Sequence, residues 1–346
     1  MSSETAAEPS GAPAGAPGEP EAAGHSSNKA IIAALLANTF IAVLKFAGWA
    51  LTGASSMLAE AIHSVADTGN QFLLLIGGRR AKKEATAEHP FGYGRERYVF
   101  AFMVAIVMFS IGGVFALYEA YHKLEEILAG HHDDLGRWWW VPIVILIGAI
   151  IAEGLSLRTA IGESNKARGS QRLSRFIRSA KAPELPVVLL EDSAAVIGLV
   201  FALFGVVLTK ITGNGIFDVI GTALIGLLLV AVAITLATET KSLLLGEAAS
   251  PQAIDKINSA LVGTEGVDRV IHMKTLHLGP EEIMVAAKIA VSPEDSATEV
   301  AGLINRAESA IRAAEPMVTA LYLEPDIYVK DYQPAPRPER PAAPSH

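Results

Sequence analysis

The chain has 346 residues, of which 51% are hydrophobic and 18% are charged, and its mean hydropathy of +0.36 is too high for an ordinary soluble domain. No cysteine is present, which excludes disulfides, thiolate metal sites and thiol redox chemistry, so a metal would need nitrogen and oxygen ligands. The formal net charge of -8 argues against a nucleic-acid partner, and most of the acid lies outside the apolar segments.

Both ends of the chain lack apolar periodicity. Residues 1–28 consist mainly of Ala, Pro, Gly, Ser and Glu, without the positive start and apolar core of a secretory signal. Residues 332–346 are rich in proline. We predict a disordered cytoplasmic tail over residues 1–28 and a second disordered tail over residues 332–346, and we expect no chemistry in either.

Six apolar windows follow the first tail, each close to the length of about 20 residues that a helix needs to cross a bilayer. They cover residues 30–51, 56–77, 98–122, 138–160, 186–210 and 216–238. We therefore predict a polytopic α-helical membrane protein, with six transmembrane helices in a domain over residues 29–240.

Positive residues cluster in two of the connecting loops. The loop after the second window has Arg79, Arg80, Lys82, Lys83, Arg95 and Arg97, and the loop after the fourth has Lys166, Arg168, Arg172, Arg175, Arg178 and Lys181. The positive-inside rule predicts cytoplasmic termini in a multi-pass protein of the cell (inner) membrane. The external "HHDD", His131 to Asp134, resembles a metal cluster in composition, but we interpret it as a solvated connector.

A compact cytoplasmic unit is predicted over residues 247–331. "SPQAIDKINSALVG" and "SATEVAGLINRAESAIRAA" have the apolar spacing of amphipathic helices, and "VDRVIHMKTLHLG", "EEIMVAAKIAV" and "VTALYLEP" are typical of strands. The order αββαβ predicts a ferredoxin-like α+β domain with two helices on one sheet face. His272 and His277 would lie on opposite faces of the first strand, so we interpret them as structural.

The second window, "MLAEAIHSVADTGNQF", contains a polar stripe. His63 and Asp67 are four residues apart and share one helix face, which Glu60 extends. Ionisable groups inside a membrane are costly and usually mark a transport path, and imidazole with carboxylate suits zinc. The alternative is that His63 and Asp67 bond to each other and lock helix packing. Glu60 is interpreted as an entrance residue or a pairing carboxylate.

The fifth window adds a second acidic pair, Glu191 and Asp192. Adjacent helical residues point about 100° apart, so we expect one carboxylate to face a metal and the other a neighbouring helix. Carboxylates in two separate windows favour a shared internal site.

These features together resemble the cation diffusion facilitator family of divalent-metal/proton antiporters, which includes the zinc transporters, over residues 28–328. The resemblance rests on the six windows, "HSVAD" in the second, "HPFGYGRER" (His89 to Arg97) before the third, the acids of the fifth, and the αββαβ unit. "LLEDSAAVIGL", "SLLLGEAASP", "LHLGPEEI" and "LYLEPDIY" are most similar to the subgroup related to mitochondrial zinc transporter 9.

The resemblance implies a homodimer that pairs through its cytoplasmic domains, with one site per protomer between the second and fifth spans. His63 and Asp67 match the paired ligands of the second span, and Asp192 matches the second ligand of the fifth. The first ligand of that pair falls on Val188, which cannot bind a metal. Glu191, Glu60 or water is then left to complete the coordination.

Other family positions also depart from the pattern. His89 matches one histidine of a loop site, but Tyr93 replaces the other and Thr86 replaces the acidic partner. We therefore expect His89 to stabilise the loop, with an accessory role in metal binding as the less favoured alternative. Lys45 in the first window and Asp218 in the sixth are interpreted as packing or gating residues.

The function expected from these residues is efflux of a divalent cation, with zinc first, by alternating access and proton exchange. No resident cofactor is expected. Manganese, iron and cobalt remain alternatives, because nitrogen and oxygen ligands serve several ions. An intramembrane metalloprotease is disfavoured because HExxH is absent. A membrane-anchored metal sensor or scaffold would not need acids in two spans.

Overall fold

The computed structural model describes residues 38–130 and 136–330. Both predicted tails and the "HHDD" segment lie outside these residues. Seven helices precede the cytoplasmic unit in the part described. They are α1 (38–52, the described part), α2 (Ser55–Ala81), α3 (Glu96–Leu128), α4 (Trp140–Arg168), the short α5 (Leu173–Ser179), α6 (Glu184–Thr212) and α7 (Ile216–Leu245).

Among the described residues, four helices are long and apolar enough to cross a membrane by length and composition, namely α3, α4, α6 and α7. Helix α2 has 27 residues, but its ionisable residues make it less apolar than these four. The prediction of six spans therefore stays a prediction for α1 and α2.

Several helices continue beyond their apolar windows, because backbone hydrogen bonding carries on into polar sequence where water solvates the side chains. Helix α4 ends at Arg168 and α7 at Leu245. Inside α3, Met108–Val114 forms π-helical turns, which the sequence did not indicate. A Cβ on Gly113 would lie 2.7 Å from Val230 Cγ2, so glycine allows α3 and α7 to approach closely here.

The helices pack around a shared apolar core. Its fully buried members come from five helices: Met57 of α2, Met108 of α3, Leu146 of α4, Leu199 of α6 and Leu229 of α7. Helix α4 is peripheral, since 17% of its most apolar window is buried against 44% for α3, α6 and α7. It packs mainly against α6, and this contact fixes which side chains of α4 face the interior.

The cytoplasmic unit has the predicted order of elements. Helix α8 (Pro251–Val262) and strands β1 (Arg269–Gly279) and β2 (Glu282–Ala290) are followed by α9 (Ala297–Ala314) and β3 (Val318–Asp326). Strand β2 is central, antiparallel to β1 and parallel to β3.

One face of this sheet is covered by α8 and α9. The alternating residues Ile283, Val285 and Ile289 of β2 are buried with Ile257 of α8 and Ile311 of α9, as the period of two in a strand requires. Both helices have serine N-caps, which satisfy backbone N–H groups that the helix itself leaves free.

The turn between β1 and β2 docks beneath the start of α3. Gly279 approaches Gly94 so closely that a Cβ on Gly279 would lie 2.9 Å from Gly94 Cα. Arg97 of α3 donates to Glu184 of α6, and its Nη1 lies 3.4 Å from Glu281 Oε1 of the turn. These contacts join the cytoplasmic unit to two helices of the membrane part.

Candidate functional site

A polar cavity of about 260 Å³ lies between α1, α2, α4 and α6. Nine residues line it, most of them polar: Asn38, Ile41, Asp67, Gln71, Ala152, Glu153, Ser156, Glu191 and Asp192. Four carboxylates from three helices therefore face one space between otherwise apolar helices. Such a concentration of acid is unusual inside a helix bundle and favours a cationic occupant.

Helix α2 contributes Asp67 to the lining of this cavity, and His63 lies one turn before Asp67 on the same helix. The His63 side chain is 1% exposed, and its Nε2 lies 3.5 Å from Asp67 Oδ2. Among the described residues, neither ring nitrogen of His63 has a hydrogen-bond partner, and Asp67 Oδ1 has none either. His63 and Asp67 therefore do not form the direct hydrogen bond by which they would stabilise helix packing. The buried His63 nitrogens and Asp67 Oδ1 are left as atoms that could bind a metal ion.

Helix α6 directs its two acids toward different neighbours. Glu191 is 5% exposed and accepts from Asn70 Nδ2 of α2 at 2.6 Å. Asp192 Oδ2 accepts from Ser156 Oγ of α4 at 2.8 Å. The predicted divergence of the pair is present, although both side chains also line the cavity. Val188, one turn before Asp192, is half-buried and has no donor atom.

Glu60 forms a buried ion pair with Lys45 of α1. Lys45 Nζ lies 3.0 Å from Glu60 Oε2 and 2.7 Å from Ser64 Oγ, and the two charged side chains are 1% and 0% exposed. A Cβ on Gly198 of α6 would lie 2.7 Å from Glu60 Oε1, so glycine provides the space. Of the two interpretations of Glu60, the pairing carboxylate matches this geometry.

Three further histidines, His89, His272 and His277, lie outside this cavity. The ring of His89 packs at a tilt against Tyr93, with the two ring centroids 4.7 Å apart. The backbone N–H of His89 donates to Thr86 Oγ1 at 3.1 Å, so His89 holds the loop together. His272 is exposed and His277 is buried in β1. Metal binding by these histidines is not indicated by their contacts.

Glu153 of α4 is the cavity residue that the sequence did not reveal. It interacts electrostatically with Asp67 and Asp192, yet it stands alone in an apolar window without a partner at helical spacing. Within residues 38–130 and 136–330, no three His, Cys, Asp or Glu side chains stand close enough together to hold a metal ion. The acids line the cavity without enclosing an ion in this conformation.

Comparison with known proteins agrees with a membrane transporter. Residues 31–245 match the family model described as the cation efflux transmembrane domain. "Proton-coupled zinc antiporter SLC30A9, mitochondrial" of Xenopus laevis is 30% identical over 263 residues, 75% of this chain and 46% of that protein. "Metal tolerance protein C4" of Arabidopsis thaliana is 31% identical over 265 residues, 76% of this chain and 57% of that protein.

The chain thus spans about half the length of these curated relatives. The solved structure "MamM-CTD 215-293" is 20% identical with a TM-score of 0.21, covering 22% of this chain and 95% of that one. Cation efflux proteins are transporters and not enzymes, which excludes the metalloprotease alternative. On the match of its membrane part, this multi-pass membrane protein belongs to the cation efflux family.

Proposed function

We propose that this protein moves a divalent cation, with zinc first, across its membrane in exchange for protons, and that His63, Asp67 and Asp192 bind the ion. The observation that carries the proposal is the cavity between α1, α2, α4 and α6, which four carboxylates line and where the buried imidazole of His63 lies beside Asp67. Ionisable groups at such a position are costly to keep unless they handle an ion.

The chemistry of these ligands explains the coupling to protons. An imidazole binds a metal only when it is neutral, and a carboxylate only when it is ionised, so loading the ion releases protons and protonation expels it. The ion enters from the cytoplasm and leaves on the other side by alternating access. Glu191, held by Asn70, adds a further carboxyl group to the wall of the site.

Zinc is proposed because imidazole with carboxylates suits it and because a relative is named as a proton-coupled zinc antiporter. Manganese, iron and cobalt are the alternatives, since the same ligand types bind them too.

The assembly that we propose is a homodimer joined through the cytoplasmic domains, with both termini in the cytoplasm of the cell (inner) membrane. Light scattering of the detergent-purified protein tests the dimer. A mass of two chains supports it, and a mass of one chain contradicts it.

Transport is tested in proteoliposomes with an imposed pH gradient, a panel of divalent ions, and dyes that report metal and pH inside. We expect metal influx coupled to proton movement. Asp67→Asn and Asp192→Asn should each lower both signals at least about tenfold. Removing a residue that only orients a metal ligand already lowers metal affinity or activity by about 10-fold or more, and removing the ligand itself should cost at least as much.

Glu163→Gln is the matched control, since Glu163 is exposed on α4 and pairs with Lys166. It should transport like the unaltered protein. Normal antiport in both aspartate variants would refute the site. A flat response to every ion would refute transport and favour the scaffold alternative.

A further inference from the structure

The proposed site is incomplete with the three ligands taken from α2 and α6. Zinc in proteins is usually four-coordinate, and His63, Asp67 and Asp192 supply one nitrogen and two carboxylates. Two other carboxylates line the same cavity, Glu191 and Glu153. The hydrogen bonds that each glutamate already forms indicate which of the two is available to bind the ion.

The hydrogen bonds of the two glutamates differ. Glu191 Oε1 accepts from Asn70 at 2.6 Å, which directs that side chain toward α2 and satisfies it there. Among the residues that the structure describes, no hydrogen bond or ion pair holds Glu153. Glu153 is therefore the wall carboxylate that is free to bind an ion.

The position of Glu153 fits the same role. It lines the main cavity with Asp67 and Asp192, and it also lines a second small cavity with Asp67 and Ser64. Ser156, one turn further along α4, bonds to Asp192, so this face of α4 is turned toward the acids of α6. An independent sign of a ligand is His63, which is buried beside Asp67 with both ring nitrogens unpartnered among the described residues.

We propose that Glu153 is the fourth ligand of the transported ion, so that α2, α4 and α6 all bind it through one imidazole and three carboxylates. This inference rests on the proposed function. Because no three of these groups converge in the described conformation, ion binding has to bring their side chains closer together than they lie there. The donor set is also richer in oxygen than a site with two imidazoles.

The oxygen-rich set has a consequence for ion choice. Carboxylate oxygen suits manganese, whereas imidazole suits zinc. We therefore expect this protein to bind manganese as well as zinc, and we expect a nitrogen ligand at position 153 to shift the balance toward zinc.

The experiment measures binding of zinc and of manganese separately, by titration calorimetry on the full-length protein in detergent, together with transport in proteoliposomes. Glu153→Gln should weaken zinc binding at least about tenfold. Glu153→His should bind zinc better than Glu153→Gln does and should raise the ratio of zinc to manganese affinity above that of the unaltered protein. Glu163→Gln and Glu163→His, on the exposed part of α4, are the controls and should change neither value.

Zinc affinity of Glu153→Gln within about twofold of the unaltered protein, with transport intact, would overturn the inference and leave the proposed function standing. A loss in Glu153→Gln with no shift of the zinc-to-manganese ratio in Glu153→His would also overturn it, because a structural role predicts that result. No transport by the unaltered protein would refute the proposed function itself. Elution volume and melting temperature check folding, and Glu153→Asp, which should bind zinc with intermediate affinity, replaces any variant that does not fold.

Discussion

At the scale of single residues, the ion pair between Lys45 and Glu60 stabilises the contact between α1 and α2. Both side chains are almost completely buried, and Ser64 accepts a further hydrogen bond from Lys45. A buried charge is tolerated when its partner and its hydrogen bonds are in place, and it is strongly unfavourable when the partner is removed.

Lys45→Met should therefore lower the free energy of unfolding by about 3 kcal/mol, because it leaves the Glu60 carboxylate buried without a cation. The double variant Lys45→Met/Glu60→Gln should recover most of this loss. Chemical unfolding of the detergent-purified protein measures both. Equal stability of Lys45→Met and the unaltered protein would show that water reaches Glu60.

At the scale of elements, the start of α2 is held by a residue of another helix. Asp218 of α7 accepts from the Ser55 backbone N–H at 2.6 Å and from Ser55 Oγ at 2.9 Å, and Ser56 Oγ also donates to it. No side chain of α2 itself caps this end. The carboxylate satisfies free N–H groups and lies favourably at the positive end of the helix dipole.

Asp218→Asn should destabilise the protein by about 1–3 kcal/mol, because an amide NH₂ would replace an acceptor and leave buried donors unsatisfied. Hydrogen exchange at Ser55 and Ser56 should become faster, since the first turn of α2 loses its cap. Asp255→Asn, at an exposed position of α8, is the control. Unchanged exchange at Ser55 would mean that the cap is dispensable.

At the scale of the whole molecule, one buried histidine lies where the cytoplasmic unit meets the rest of the chain. The backbone N–H of His277 donates to Glu247 O at 2.9 Å, and Glu247 accepts from Lys181, which precedes α6. His277 Nδ1 lies 3.1 Å from Gly279 O, while its Nε2 has no hydrogen-bond partner within the described part of the chain. A proton on Nε2 would therefore be buried without an acceptor.

Burial lowers the pKa of His277. The unfolded chain therefore binds a proton at His277 more tightly than the folded chain does. The contribution of His277 to the free energy of unfolding is fully present above the free-histidine pKa of about 6.5, and it is lost as the pH falls through the folded-state pKa. Melting temperature should drop between about pH 7 and about pH 5. The melting temperature of His277→Gln, whose side chain does not titrate, should fall less over the same pH range. An equal fall in the variant and the unaltered protein would mean that other groups cause the pH dependence.

Much of this architecture follows from local pattern. Apolar windows predicted the long helices, because a membrane-spanning segment must satisfy its backbone internally. Alternation predicted the strands of the cytoplasmic unit, and the spacing of His63 and Asp67 placed both on one face of α2. Each of these patterns is set by backbone geometry within a few residues, so no knowledge of the tertiary structure is needed to recognise it.

Only the tertiary structure decided which residues of different helices come into contact. Lys45 and Glu60 are 15 residues apart, and Ser55 and Asp218 are 163 apart, so no local period links them. Glu153 is a single acid in an apolar window, and only the packing of α4 against α6 places it in the cavity. The sequence by itself determined which helices form and which of their faces are polar, and packing decided which polar groups meet, because that depends on how helices distant in the chain approach and rotate against one another.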